Sequence, residues 1–125
     1  MDISKEYIQM CEKAIEIQKL WRMKPKHDFF VFKKDYSLPE CPSCCYTEHS
    51  QQRFDNFIWL PRQDQLQVIW SLGITCFPIA MTNTFARWYQ DYFDYTDKFT
   101  SLEQVWLAFV MDTKYNKKWN GEIWV

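Results

Sequence analysis

The sequence predicts an α+β fold: one N-terminal helix, a small two- or three-stranded antiparallel sheet, and two to three C-terminal helices packed on it. Three observations carry this expectation. Apolar residues recur every three or four positions across residues 4–23. Two short aromatic and β-branched runs follow, at residues 28–33 and 56–60. After Pro61 the apolar spacing returns to the helical period.

In the first helix, Tyr7, Met10, Cys11, Ala14, Ile17 and Trp21 share one face, while Glu6, Glu12, Lys13, Glu16, Lys19 and Arg22 mostly take the other. Pro25 ends it, because the residue before a proline is pushed out of the helical region. Asp28-Phe29-Phe30-Val31-Phe32-Lys33 and Asn56-Phe57-Ile58-Trp59-Leu60 read as the strands. A twenty-residue loop between them would be unusual in a compact domain, so a short middle strand is expected near Cys45-Tyr46-Thr47. Pro61 suits a first helical position and Asp64 the positive helix end. Leu66, Ile69 and Trp70 then give the buried face, and Gly73 the stop. Pro78 opens the next helix, with Met81, Phe85, Trp88, Tyr89 and Tyr92 on one face, followed by a loop carrying Asp91, Asp94 and Asp97. Thr100-Ser101-Leu102-Glu103 fits a capping box before a last helix striped by Leu102, Val105, Trp106, Phe109 and Val110. Asn120-Gly121 places a turn between Trp119 and Trp124.

A chain of 125 residues is one domain, residues 1–125, with no internal repeat. Fifteen basic against sixteen acidic residues exclude a generally basic nucleic-acid coat and a self-repelling acidic tail. Two glycines exclude a phosphate-cradling glycine-rich loop, and no metalloprotease or serine-hydrolase motif is present. The sequence therefore predicts a protein that is not an enzyme. Its outlying feature is aromatic content: 7 Trp, 7 Tyr and 10 Phe, 19% of the chain. Such an excess predicts rings left at the surface to anchor a partner, either another protein or a second copy. Trp59, Trp88, Trp119 and Trp124, which sit near element ends, are the candidates, with Arg62 beside them, although its polar turn Arg62-Gln63-Asp64-Gln65 is expected foremost to cap its own helix and the neighbouring strand.

Three further patterns bear on partners. Lys19, Arg22, Lys24, Lys26, Lys33 and Lys34 lie among Trp21, Phe29 and Phe30, which gives the alternative reading of a nucleic-acid-binding module, with Lys24, Lys26 and Lys33 as its phosphate contacts. Cys41-Pro42-Ser43-Cys44 with His49 is half of a zinc signature, and a plain cysteine-containing loop is the expected outcome, so no cofactor is assigned. Residues 65–86 carry no formal charge and are long enough to cross a bilayer. Gln65, Gln67, Gly73, Pro78 and Asn83 interrupt them, so a buried turn between two core helices, and no membrane contact, is predicted. With no basic stretch and apolar run at the start, the five cysteines point to reduced thiols in a cytoplasm.

Three blocks carry a resemblance. They are Cys11-Glu12-Lys13-Ala14 with Ile17-Gln18; Ile58-Trp59-Leu60-Pro61-Arg62-Gln63-Asp64-Gln65-Leu66-Gln67; and Ser101 to Met111, continued by Tyr115 and Trp119-Asn120-Gly121-Glu122. Together they resemble small uncharacterised proteins of tailed bacteriophages and prophages of Gram-positive bacteria. The resemblance implies a phage accessory protein made in the host cytoplasm, and it brings no activity with it.

Overall fold

The computed structural model describes residues 1–21, 28–39, 56–75 and 77–125. Its architecture is α+β. The elements are α1 (Lys5–Lys13), α2 (Ile15–Gln18), β1 (Phe29–Phe32), β2 (Phe57–Leu60), α3 (Gln63–Ser71), α4 (Pro78–Asp91), α5 (Phe93–Thr96) and α6 (Leu102–Tyr115). β1 and β2 pair antiparallel with Phe30 opposite Trp59 and Val31 opposite Ile58. The middle strand expected near Cys45 falls outside the described residues.

The last helix is the centre of the molecule. Gln104 through Met111 are all buried, because α1 and α3 both pack on α6 while α1 also covers β2. A helix enclosed on every side needs apolar residues all round, and Val105-Trp106-Leu107-Ala108-Phe109-Val110-Met111 supplies them. The one polar exception, Gln104, is fully buried and satisfied. Its amide donates to Asp2 Oδ2 at 2.8 Å and its carbonyl accepts from Thr100 N at 3.1 Å. Ser101 also donates to the Asp2 carboxylate. Burial opposes ionisation of Asp2, but the hydrogen bonds from Ser101, Ser4 and Gln104 together outweigh it and hold its pKa below the usual value.

Several boundaries differ from the sequence reading. The first helix is interrupted at Ala14, whose ψ of 69° lies outside the helical region. The break lets Gln18 turn toward the sheet, where its side-chain amide accepts from Trp59 N and donates to Trp59 O, both at 2.9 Å. The helix after Pro61 begins at Gln63, since Gln65 Oε1 accepts from the Arg62 backbone and fixes the cap there. The capping residue of α6 is Ser101, which accepts from Gln104 N, so the cap sits one residue later than Thr100. Leu102 is half exposed rather than part of the core stripe. The aspartate loop after Trp88 contains a short helix, α5. Gly73 follows the α3 cap with φ 78°, the left-handed conformation that glycine adopts without strain.

Candidate functional site

The four indoles expected at the surface are not there. Trp59, Trp88, Trp119 and Trp124 are each no more than 8% exposed, and Trp21, Trp70 and Trp106 are buried as well. The expectation is therefore corrected for the indoles, while Phe29, Phe77, Tyr92 and Phe93 are the rings left exposed among the described residues. Rings pack on rings: Phe109 lies within 5.2–5.5 Å, centroid to centroid, of Trp70, Phe85, Trp88 and Trp106. Trp21 stacks on Trp59 and meets Phe30, and Trp119 meets Trp124 across the closing turn. Most of the polar tips find acceptors inside the chain. Trp88 Nε1 donates to Asp112, Trp70 Nε1 to Thr113, Trp21 Nε1 to Asp28 and Trp124 Nε1 to the Met10 carbonyl, at 2.8–3.0 Å. A buried indole is favourable when its N–H is satisfied in this way.

The other predicted residues divide into two groups. Arg62 is half-buried and its guanidinium forms a two-pronged pair with Asp64, 3.0 and 3.2 Å, within its own helix turn. Lys33 is exposed after β1. It shares a cleft of about 370 Å³ with Lys19 and Glu12, so the surface there has mixed sign. Lys24, Lys26, Cys41, Cys44 and His49 lie outside the described residues. Among the described residues no three His, Cys, Asp or Glu side chains converge on a point. Cys11 is fully buried, and burial pushes its thiol far above the range in which a thiolate forms.

The apolar side chains that the structure does expose between α3 and α4 are mostly aliphatic. Within the charge-free run 65–86, read from sequence as a buried turn, Leu66, Ile69 and Trp70 are buried but residues 72–75 and 77–80, at the corner where α3 ends and α4 begins, are exposed. Val68 is 60% exposed, Leu72 52%, Ile74 47%, Phe77 76% and Ile79 77%. Lys114 supports the corner from below: its ammonium donates to the Leu72 carbonyl at 2.7 Å, where α3 ends and its last carbonyls lack helical partners. Beyond the corner, α4 and the start of α6 enclose a shallow cleft of about 530 Å³. Its walls include Phe85, Ala86, Tyr89, Leu102 and Val105, and none of its lining residues bears a formal charge. The charge-free run was visible in the sequence, but a buried turn and an exposed one share that signature. Exposure alone separates them.

No described helix is long and apolar enough to cross a membrane. Comparison with family models, with curated proteins and with solved structures finds no match for this chain.

Proposed function

We propose that this chain is a binding protein without catalytic activity, acting through protein–protein contact, with the exposed apolar side chains between α3 and α4 as its docking surface. A phage accessory role, which the three resembling blocks suggest, belongs to the same proposal. The observation that carries it is the sequence of five large apolar side chains, Val68, Leu72, Ile74, Phe77 and Ile79, all well exposed in a stretch without one formal charge. Scattered exposed apolar residues are ordinary, whereas a contiguous group is characteristic of an interaction site. Covering one such side chain contributes about 1.5–3 kcal/mol.

The reading is tested by recovering the tagged chain from the cell that makes it, beside a Val68→Lys/Ile79→Glu variant. Both positions are more than half exposed, and each new charge suits its helix. The introduced ammonium would lie four residues after Asp64, and the introduced carboxylate near the positive end of α4. At least one bound polypeptide, untagged copies of the chain included, is expected to fall about tenfold or more in the variant, as loss of one buried side chain implies. An identical set of polypeptides on both proteins contradicts the proposal.

A further inference from the structure

We infer that the cleft between α2 and the outer edge of β2 receives the C-terminal residue of a peptide. The carboxylate lies between Lys19 and Lys33, the amide N–H donates to the Phe57 carbonyl, and an apolar side chain covers Ile15 and Phe57. This site is separate from the α3–α4 surface and stands independently of it.

The strand ladder decides which backbone groups face outward. Lys33 N donates to Asn56 O at 2.8 Å, and Val31 stands opposite Ile58. Hydrogen-bonded pairs alternate with non-hydrogen-bonded ones along an antiparallel ladder, so Phe57 and Trp59 both turn their carbonyls away from β1. The two carbonyls then differ. Gln18 donates to Trp59 O at 2.9 Å. The Phe57 carbonyl receives no hydrogen bond among the described residues, and Phe57 lines the cleft of about 370 Å³. A strand-edge carbonyl without a donor is a place for the N–H of another chain.

Gln18 also limits what can be added. Because its amide occupies both Trp59 N–H and Trp59 C=O, a strand laid on this edge cannot run on past Phe57 toward Trp59. A chain end fits there and a continuous strand does not. Charge selects which end. Lys19, next to Gln18, and Lys33 both line the cleft and are exposed, and among the described residues neither ammonium forms a salt bridge. The one carboxylate of the lining, Glu12, accepts from Tyr36 Oη at 2.6 Å. Two ammonium groups against one engaged carboxylate favour a terminal carboxylate over a terminal amine. Ile15, 58% exposed, and the half-buried Phe57 supply apolar lining, so an apolar last residue gains from covering them. The volume lies at the low end of the range of about 300–1,000 Å³ usual for ligand pockets, which suits the end of a peptide rather than a folded partner.

Proton–nitrogen correlation NMR of the full chain provides the test, with N-acetylated tetrapeptides that end in Val, Leu, Ile or Phe and carry a free carboxylate. At millimolar concentration at least one of them is expected to shift the backbone amides of Ile15, Lys19, Lys33, Phe57 and Ile58. Converting its terminal carboxylate to an amide is expected to weaken binding about tenfold or more, the loss of a hydrogen bond to a charged group. Lys19→Gln/Lys33→Gln, at two exposed positions, is expected to do the same with unchanged circular dichroism. Val68→Lys/Ile79→Glu is expected to bind the peptide as the wild type does, so failure of the α3–α4 surface and failure of this cleft are distinguishable. No shift at these residues with any of the peptides overturns the inference. So does an affinity that amidation or Lys19→Gln/Lys33→Gln leaves unchanged, or an amidated peptide with an internal aspartate that binds equally well. Shifts at the same residues with a thymidine tetranucleotide and none with the peptides also overturn it, in favour of nucleic acid.

Discussion

Replacing Phe109 by alanine is expected to cost about 3–5 kcal/mol of folding stability. Phe109 is fully buried at the middle of α6. It is the one ring that touches Trp70 from α3, Phe85 and Trp88 from α4, and Trp106 from its own helix. Truncation removes the transfer energy of a benzyl group and leaves a cavity walled by large flat side chains, which collapse into it poorly because they are pinned elsewhere. Trp70 is held at Thr113 and Trp88 at Asp112, so neither indole can follow the missing ring without breaking a buried hydrogen bond. Against a usual total of about 5–15 kcal/mol for a domain, the variant should sit near the edge of unfolding. Urea denaturation followed by far-ultraviolet circular dichroism measures it. A loss below about 1 kcal/mol, the range of surface substitutions, would mean that the four rings are not packed around this one.

Gln18→Ala is expected to cost about 2–4 kcal/mol, an effect out of proportion to a half-buried polar side chain. Register explains why. Lys33 N donates to Asn56 O at 2.8 Å, extending the same antiparallel register as Val31 opposite Ile58 and Phe29 opposite Leu60. Hydrogen-bonded and non-hydrogen-bonded pairs alternate along such a ladder, so Phe30 and Trp59 form a non-hydrogen-bonded pair. Trp59 N–H and C=O therefore point away from β1. The Gln18 amide meets both of them as a third strand would, and it donates to the Cys11 carbonyl at 3.1 Å as well. Alanine leaves these backbone groups without partners in a largely buried setting, at about 1–3 kcal/mol for each group that water does not reach. Gln18→Glu separates the roles, because it keeps an acceptor for Trp59 N and loses the donor. Its expected loss is intermediate in the same denaturation experiment, and a Gln18→Ala protein as stable as wild type would show that water replaces the amide at no cost.

The parts of the fold set by periodicity were legible in the sequence. Tyr7, Met10, Cys11, Ala14 and Ile17 do form one buried face, Phe29–Phe32 and Phe57–Leu60 do pair, and Leu66, Ile69 and Trp70 do face inward. The break at Ala14 was not legible, because nothing local demands it. Gln18 gains three hydrogen bonds only after the chain turns there, which is a tertiary gain overriding helix propensity. The cap of α6 was misplaced by one residue because Thr100 and Ser101 are equivalent by residue type, and contact with Asp2, 99 positions away, distinguishes them. The aromatic residues misled for a different reason. Composition counts rings without their neighbours, and this chain supplies its indoles with ring faces and four of them with acceptors, Asp112, Thr113, Asp28 and Met10 O, while the buried N–H groups of Trp59 and Trp119 have none. The charge-free run misled in the opposite direction, since absence of charge is equally compatible with burial, as at Leu66 and Trp70, and with exposure, as at Leu72 and Ile79.

The central claim is that the rings, above all the indoles, hold a single subunit together, which leaves the exposed apolar side chains between α3 and α4 for the proposed partner. Solute quenching of tryptophan fluorescence in the Val68→Lys/Ile79→Glu protein, whose proposed docking surface is broken, tests it most directly. Seven enclosed indoles predict blue-shifted emission and quenching far below that of the same protein in urea. Emission characteristic of water-exposed indole, with several tryptophans quenched as freely as in the unfolded chain, would contradict it.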